Sequence, residues 1–412
     1  MLVDSPPMRE SLSIGVVGCG TAGAAAALFL ARAGHRVSVF EHVEDPRPVG
    51  AGIMLQPTGQ DVLARLGLHE AVVSRGERID RLSVQTGSGR RLLALSYADV
   101  SPRFFGVGLH RGVLFGVLFD AVRKADLSLH LGVSGENIRR AGKQRILVDK
   151  QGDEHGPFDL LVIADGAKSR FRDDTNITLR ADAYPWGALW FMAEDPEHLF
   201  KEELFQVVEG TGKLIGLLPT GQCPEGRRRV SVFYSVRGDA VDAVRRMKIA
   251  DFRAELVRYA PKSEAIVGQI EDTAQLLYSG YMDVVMSPWH TRAVVHLGDS
   301  AHAMSPQLGQ GANLALYDAW VLAECVATQP SVAQALEAYT RARRAHLGYY
   351  QVVTRGLTPF FQSDHAGLGL LRDLFMPIMN RVPAFNRAMV IGMCGIADGH
   401  PWKQVPVTMP GE

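Results

Sequence analysis

The chain has 412 residues, 47% of them apolar and 21% charged, with 44 basic against 44 acidic side chains. That length suits two or three globular domains, and the neutral balance speaks against nucleic acid or an anionic membrane as partner. Four cysteines, Cys19, Cys223, Cys325 and Cys394, lie far apart without a CxxC pair; no metal site is expected, and a reducing, cytoplasmic setting is. The opening MLVDSPPMRESLS has no apolar stretch behind a basic cluster, so no secretory signal is expected. The longest apolar run, residues 22–31, is about half of a membrane span.

Residues 12–17 read as a buried parallel strand entering GCGTAG at 18–23. In such a fingerprint Gly18 permits the tight turn, Gly20 lets a pyrophosphate approach the backbone, and Gly23 lets the next helix pack close to the strand. A helix runs to Gly34, and a second strand, 36–40, ends in Glu41. An acid at that distance suits the two hydroxyls of an adenosine ribose, so the unit is either an ADP site or a glycine-rich turn in a plain βαβ unit. An extended Gly/Pro segment, Pro48 to Pro57, then leads into a helix over 59–66.

Period-two alternation over 78–97 around Gly87-Ser88-Gly89 predicts a hairpin. A strand over 104–110 and a helix over 111–125 follow, then strands at 127–131, 145–149 and 158–164, the last ending in Asp165-Gly166. Four strand-like runs, 186–193, 203–208, 213–218 and 228–236, precede one helix over 241–259. Near the end, an apolar strand from Val294 runs into Gly298-Asp299, a Gly/Pro loop and a helix over 312–327. There Asp299 either accepts hydrogen bonds from cofactor hydroxyls or merely caps the turn, while backbone N–H groups from Gly309 through Gly311 to Asn313 face developing negative charge on a reactive ring. A second helix is expected over 331–355, and short amphipathic helices interrupted by Pro377 and Pro383 over 368–393.

Three motifs in this order, GxGxxG with its acid, Asp165-Gly166, and Gly298-Asp299 with Pro306 and the later Asn313 and Asp318, resemble those of the class A flavoprotein monooxygenases, the aromatic hydroxylases of the para-hydroxybenzoate hydroxylase type. A GAGI segment at 50–53 and Arg111 at a helix start fit the same pattern. The resemblance covers roughly residues 12–345 and implies an α/β fold: a Rossmann-like FAD-binding domain (1–75, 106–180, 283–345) interrupted by a mostly antiparallel substrate domain (76–105, 181–282), with a C-terminal helical segment (346–412). It implies that Arg111 lies against the flavin's phosphate or ribityl region, that Asp165 borders the pyrophosphate, and that Pro306 lies beside the oxygen-reactive carbon. Arg47 is either a cofactor contact or a solvated loop charge. His302 is either an acid or base or a group that fixes its loop. Trp186, Trp190, Met192, Phe205, Leu214 and Tyr234 are candidates for the pocket wall, with ordinary core as the other reading, because a one-residue slip exchanges the faces of a strand.

The implied activity is an NADH- or NADPH-consuming, FAD-dependent monooxygenation. Dioxygen adds to the flavin as a C4a-hydroperoxide, and one oxygen atom passes to a small phenolic or heteroaromatic substrate. With a single dinucleotide fingerprint, taken by FAD, the nicotinamide visits only transiently. A monomer or homodimer is expected. The alternatives are a flavin-dependent reductase or halogenase on the same scaffold, or a non-catalytic flavin-binding redox protein.

Overall fold

A computed structural model describes residues 10–47, 50–172, 177–223 and 225–409. The leader at 1–9 and Pro48-Val49 of the expected Gly/Pro segment lie outside them. Six strands make the first sheet, in the order His290–Thr291, Val294–His296, Leu160–Ile163, Ser13–Val17, Arg36–Glu41 and Ser128–Leu131. All neighbours are parallel except the outermost two-residue strand. The two central strands are covered on both faces, which is why they read as unbroken apolar runs rather than alternating ones. Helix Thr21–Arg32 crosses from the first strand and packs on helix Gly311–Thr328. Its buried face is a run of alanines, Ala24 to Ala27, and small side chains let two helices approach closely.

The second sheet has seven strands, ordered Leu277–Met286, Thr178–Glu194, Arg228–Arg237, Lys213–Gln222, Glu203–Glu209, Arg81–Thr86 and Arg91–Ser96. Neighbours are antiparallel except Glu203–Glu209 beside Arg81–Thr86. One face buries Val207, Leu217, Val232 and Tyr234 with Phe252 and Leu256 of helix Ile249–Tyr259. The other turns toward the first sheet. Between them lies a small sheet of Gly52–Leu55, Gly106–His110 and Glu77–Ile79, with Gly106–His110 in the middle. The Gly52 N–H donates to Ser231 Oγ of the large sheet at 3.0 Å.

Several elements differ from the expected ones. The helix expected over 241–259 is two helices, Val241–Arg245 and Ile249–Tyr259, because Lys248 adopts an extended conformation and Thr273 Oγ1 takes up the freed Arg245 carbonyl at 2.7 Å. Phe158 ends a strand of its own, Glu154–Phe158, in a three-stranded antiparallel sheet with Gly135–Ala141 and Gln144–Asp149, so the parallel strand begins only at Leu160. The helix expected to stop near Arg355 runs from Val332 to Phe361.

Pro377 does not interrupt helix Ala366–Arg381. A proline there leaves the carbonyl four residues earlier without its partner, and Arg90 Nη2 donates to that Asp373 carbonyl at 2.8 Å. The same helix lies along the edge strand Arg91–Ser96. Asn380 accepts from the Ala94 N–H and donates to its carbonyl, each at 3.0 Å, which caps backbone that an open edge would expose. Pro383 does start a new helix, Pro383–Met393.

Candidate active site

The loops that leave the central strands of the first sheet meet at the glycine fingerprint. Gly18 has φ +94°, and a Cβ there would stand 2.5 Å from the Ala164 carbonyl oxygen; at Gly23 it would stand 1.9 Å from the Gly18 oxygen. Both positions are closed by packing. Gly20 has nothing within 4 Å of such a Cβ, and it borders a large cavity. Helix Thr21–Arg32 begins there without a side-chain cap, so its first N–H groups are available to an anion.

Glu41, at the end of the neighbouring strand, accepts from the Cys19 and Val43 N–H groups at 2.8 and 3.0 Å and lies 2.8 Å from His42 Nδ1. Its carboxylate is thereby held against the glycine loop. Asp165 and Asp299 sit exposed just past parallel strands Leu160–Ile163 and Val294–His296. Gly166 is open to 4 Å, and a Cβ at Gly311 would stop 3.8 Å from Asp299 Oδ1. Uncapped helix N–H groups, open glycines and carboxylates that can accept from hydroxyls fit a phosphate-and-polyol cofactor.

Pro306, Gly309 and Gly311 line the middle of the cavity on a loop that is pinned from three sides. Ser305 Oγ lies 2.6 Å from Thr358 Oγ1, Gln307 Nε2 donates to Gln362 Oε1 at 3.0 Å, and Gln310 Nε2 donates to the Met393 carbonyl at 2.7 Å. Asn313 is buried and does not reach the cavity. Its Oδ1 accepts from the Gln56 N–H at 2.8 Å while Nδ2 donates to the Met54 and Gly309 carbonyls, so it clamps strand Gly52–Leu55 to the loop.

His302 also turns away from the cavity. It is 1% exposed, and its Nε2 is 2.5 Å from Asp318 Oδ2, which also accepts from the Gly298 N–H at 2.9 Å. Asp318 Oδ1 accepts from Arg343 Nε at 2.7 Å, Arg343 Nη1 meets His346 Nδ1, and His346 Nε2 donates to the Gly395 carbonyl at 2.8 Å. Despite complete burial, the charges of His302 and Arg343 hold the Asp318 carboxyl well below the usual range. This geometry makes His302 part of a buried scaffold under the Gly298-Asp299 turn rather than an acid or base facing substrate.

Arg111 begins helix Arg111–Lys124 behind an N-cap in which His110 Nδ1 accepts from the Gly112 N–H at 3.1 Å, and its side chain borders the cavity beside Gly50. Arg47 does not reach the cavity; it is exposed and donates to Asp45 at 2.7 Å.

The cavity, about 910 Å³, continues under the inner face of the seven-stranded sheet. Cross-strand partners decide which side chains face it. Trp190 pairs with Phe233 and Leu189 with Tyr234; the first pair lines the cavity, with ring centres 5.1 Å apart, and the second belongs to the core under helix Ile249–Tyr259. Of the six expected wall residues, Trp190 and Leu214 are there. Trp186, Met192, Phe205 and Tyr234 are not: Trp186 lies over Gly212, Phe205 faces Phe200, and Tyr234 donates to Glu255 at 3.2 Å.

In place of Phe205 and Tyr234, their immediate neighbours Leu204, Gln206, Phe233 and Ser235 line the cavity. The period-two pattern was visible at both strands, but not which parity points inward, and a glycine gives the missing signal. Gly216 pairs with Phe233, whose ring lies where its Cβ would be, 2.0 Å away. Tyr97, buried and donating to Gln56 Oε1 at 2.5 Å, also borders the cavity, and nothing in the sequence around it signals that place.

Residues 11–352 match the family described as FAD binding domain. A kynurenine 3-monooxygenase of Salinispora arenicola is 30% identical over 368 residues, covering 82% of this chain and 77% of its own. The chain belongs to the class A flavoprotein monooxygenases. An aurachin C monooxygenase/isomerase of Stigmatella aurantiaca is 28% identical over 388 residues, 92% of this chain and 98% of that one. Klebsiella pneumoniae HpxO, crystallised with FAD and uric acid, superposes with a TM-score of 0.78 over 93% of this chain and 97% of its own; at 21% identity that likeness speaks for the fold. This flavoprotein monooxygenase therefore uses FAD, with NAD(P)H as the family's co-substrate. No helix among the described residues is long and apolar enough to cross a membrane.

Proposed function

We propose that this monooxygenase transfers one atom of dioxygen to a phenolic or heteroaromatic ring held under the seven-stranded sheet. The observation that carries the reading is the continuity of one cavity from Gly20 and Asp299 to Trp190 and Phe233, with the Pro306 to Gly311 loop at the junction. FAD, when bound, supplies hydride acceptance and oxygen activation. Gly20 and the start of helix Thr21–Arg32 hold its pyrophosphate, with Gly18 and Gly23 shaping the turn, and Glu41 takes the adenosine ribose. Asp165 borders the pyrophosphate, Arg111 the phosphate or ribityl region, and Asp299 accepts from the ribityl chain. The N–H groups beyond Gly309 face the ring system, and Asn313 and His302 position that loop. Relatives named for kynurenine and aurachin C support an aromatic substrate class. The reductase, halogenase and non-catalytic readings lose ground against relatives that are monooxygenases.

In this reading residues 76–105 and 181–282 form the substrate domain and the rest, apart from the C-terminal helices, the FAD domain. The four unpaired thiols suit a reducing cytoplasm, and a monomer or homodimer is the assembly to test by light scattering. The deciding experiment incubates the FAD-loaded protein with NADH or NADPH, oxygen and a panel of phenols and heteroaromatics. A product heavier by one oxygen is expected; NAD(P)H oxidation that gives only hydrogen peroxide across the panel would count against the reading.

A further inference from the structure

We infer that the substrate is an uncharged ring carrying a long apolar substituent; this rests on the aromatic monooxygenase reading and narrows it. The charged residues that line the cavity are Arg81, Arg111, Asp299 and Arg372. Arg111 and Asp299 stand at the glycine-lined end, beside Gly50 and Gly311. At the other end Arg372 already makes four hydrogen bonds. Its Nε and Nη2 donate to Asp373 Oδ1 at 2.9 and 2.7 Å, and its Nη1 donates to the Gly210 and Phe360 carbonyls, both at 2.8 Å. Arg81 is half exposed and faces Glu203 at 3.7 Å. Among the described residues, then, each cation under the sheet already faces a carboxylate of its own, Arg372 closely and Arg81 at 3.7 Å, so a substrate carboxylate would have to compete for it, and an unpaired carboxylate is costly to bury.

The wall itself is built for hydrocarbon. Val84, Leu93, Leu95, Leu204 and Leu214 line the cavity from the sheet. From the opposite side come Leu357 and Phe361 of the long helix, then Phe375 and Met379 of helix Ala366–Arg381 and Met389 of the last helix. Phe375 and Met379 are also 53% and 39% exposed, so the slot reaches the surface along this helix. A ring near the Pro306 loop would send its substituent between sheet and helices toward that opening. Gln206, Ser279 and Tyr281 are among the polar side chains along the way that can meet a hydroxyl or carbonyl.

The test uses the full-length, FAD-loaded protein and reads dissociation constants from perturbation of the flavin absorbance, without turnover. Probes are 4-alkylphenols from methyl to octyl, with 4-hydroxybenzoate as the charged comparison. Affinity should rise about fourfold per added methylene, the equivalent of ~0.8 kcal/mol for a buried CH₂, until the slot is filled. 4-Hydroxybenzoate should bind at least about tenfold more weakly than 4-methylphenol. Met379→Asp, at the half-exposed mouth, should weaken octylphenol at least about tenfold while FAD content reports intact folding. A flat chain-length series, tightest binding by 4-hydroxybenzoate, or no perturbation by any probe overturns the inference. Failure of the monooxygenase reading would look different: rings would bind yet gain no oxygen under NAD(P)H and air.

Discussion

Gly20, Gly166 and Gly311 meet the cavity with bare backbone, whereas Trp190, Leu204 and Phe233 meet it with side chains from one face of a paired sheet. The two ends of one cavity are thus specified by different physics. At the glycine-lined end the requirement is local: strand, turn and helix start lie within a dozen residues, and an added Cβ either collides or fills the site. At the other end it is relational, set by the pairing register of distant strands and by helix residues more than 100 positions further along the chain. The first kind of site survives as a motif; the second is made of ordinary apolar residues.

The largest effect expected from breaking this arrangement lies beneath the glycine-lined end. Arg343 and Asp318 are both wholly buried and bonded, and Asp318 also holds the Gly298 N–H. Arg343→Met leaves a buried carboxylate with less compensation, and loss of one partner of such a pair costs about 3–5 kcal/mol. Urea unfolding should show that loss together with weaker FAD retention, because Gly298 precedes Asp299. An unchanged midpoint would mean that the network carries no load.

Acid should reveal the same scaffold. Burial, with Arg343 beside His346 and Arg172 near His296, pushes both histidines down to about 3. Among the described residues, neither nitrogen of His296 has a hydrogen-bond partner. His346 donates from Nε2, and its Nδ1 already faces Arg343, so neither ring gains by protonation in the fold. The unfolded chain takes up these protons near pH 6.5 and the native state does so only near 3, so the stabilisation is complete above about 6.5 and is lost as pH falls through that window. The expected slope is up to about 1.4 kcal/mol per pH unit for each residue. His296→Leu should remove one of the two contributions; an unaltered slope would show that His296 is charged in the native protein.

What the sequence disclosed follows this division. The parallel strands, the three glycines with Glu41 beside them, and the Gly298-Asp299 turn with its Pro306 loop were legible in position because a tight strand–turn–helix unit demands particular residue types at a fixed spacing. The inward parity of strands Glu203–Glu209 and Arg228–Arg237 was not, since both faces of this sheet are covered and both carry large apolar side chains. The unbroken course of helix Ala366–Arg381 was hidden for another reason: the partner that tolerates Pro377 is Arg90, nearly 300 residues away.

Within the glycine-lined end, substitutions should separate packing from binding. Gly23→Ala forces a Cβ against the Gly18 carbonyl and should destabilise the fold by about 1–3 kcal/mol. Gly20→Ala meets nothing among the described residues within 4 Å, its chain neighbours aside, so unfolding should be nearly unchanged while FAD affinity falls. Asp299→Ala should also spare the fold and lower FAD affinity about tenfold to a hundredfold, through loss of a charge-assisted hydrogen bond of about 1.5–3 kcal/mol. Stoichiometric FAD after dialysis of either variant would remove that residue from the cofactor site.

The smallest expected effect tests the other end, where adjacent residues of one strand should behave oppositely. Phe233 packs beside Trp190 over the cavity and covers Gly216, whereas Tyr234 points through the sheet to Phe252 and Glu255. Phe233→Ala should weaken an aromatic ligand about fivefold, near 1 kcal/mol, because the ring supplies part of the apolar wall. Tyr234→Phe removes only a hydrogen bond on the far face, so it should cost about 0.5–1.5 kcal/mol of stability and leave ligand affinity unchanged. Flavin-absorbance titration of both variants with one alkylphenol, beside urea unfolding of each, reads the two quantities independently. If Tyr234→Phe shifts affinity while Phe233→Ala does not, the inner and outer faces of the sheet are reversed in solution, and the wall of the substrate slot would have to be redrawn from Phe205 and Tyr234.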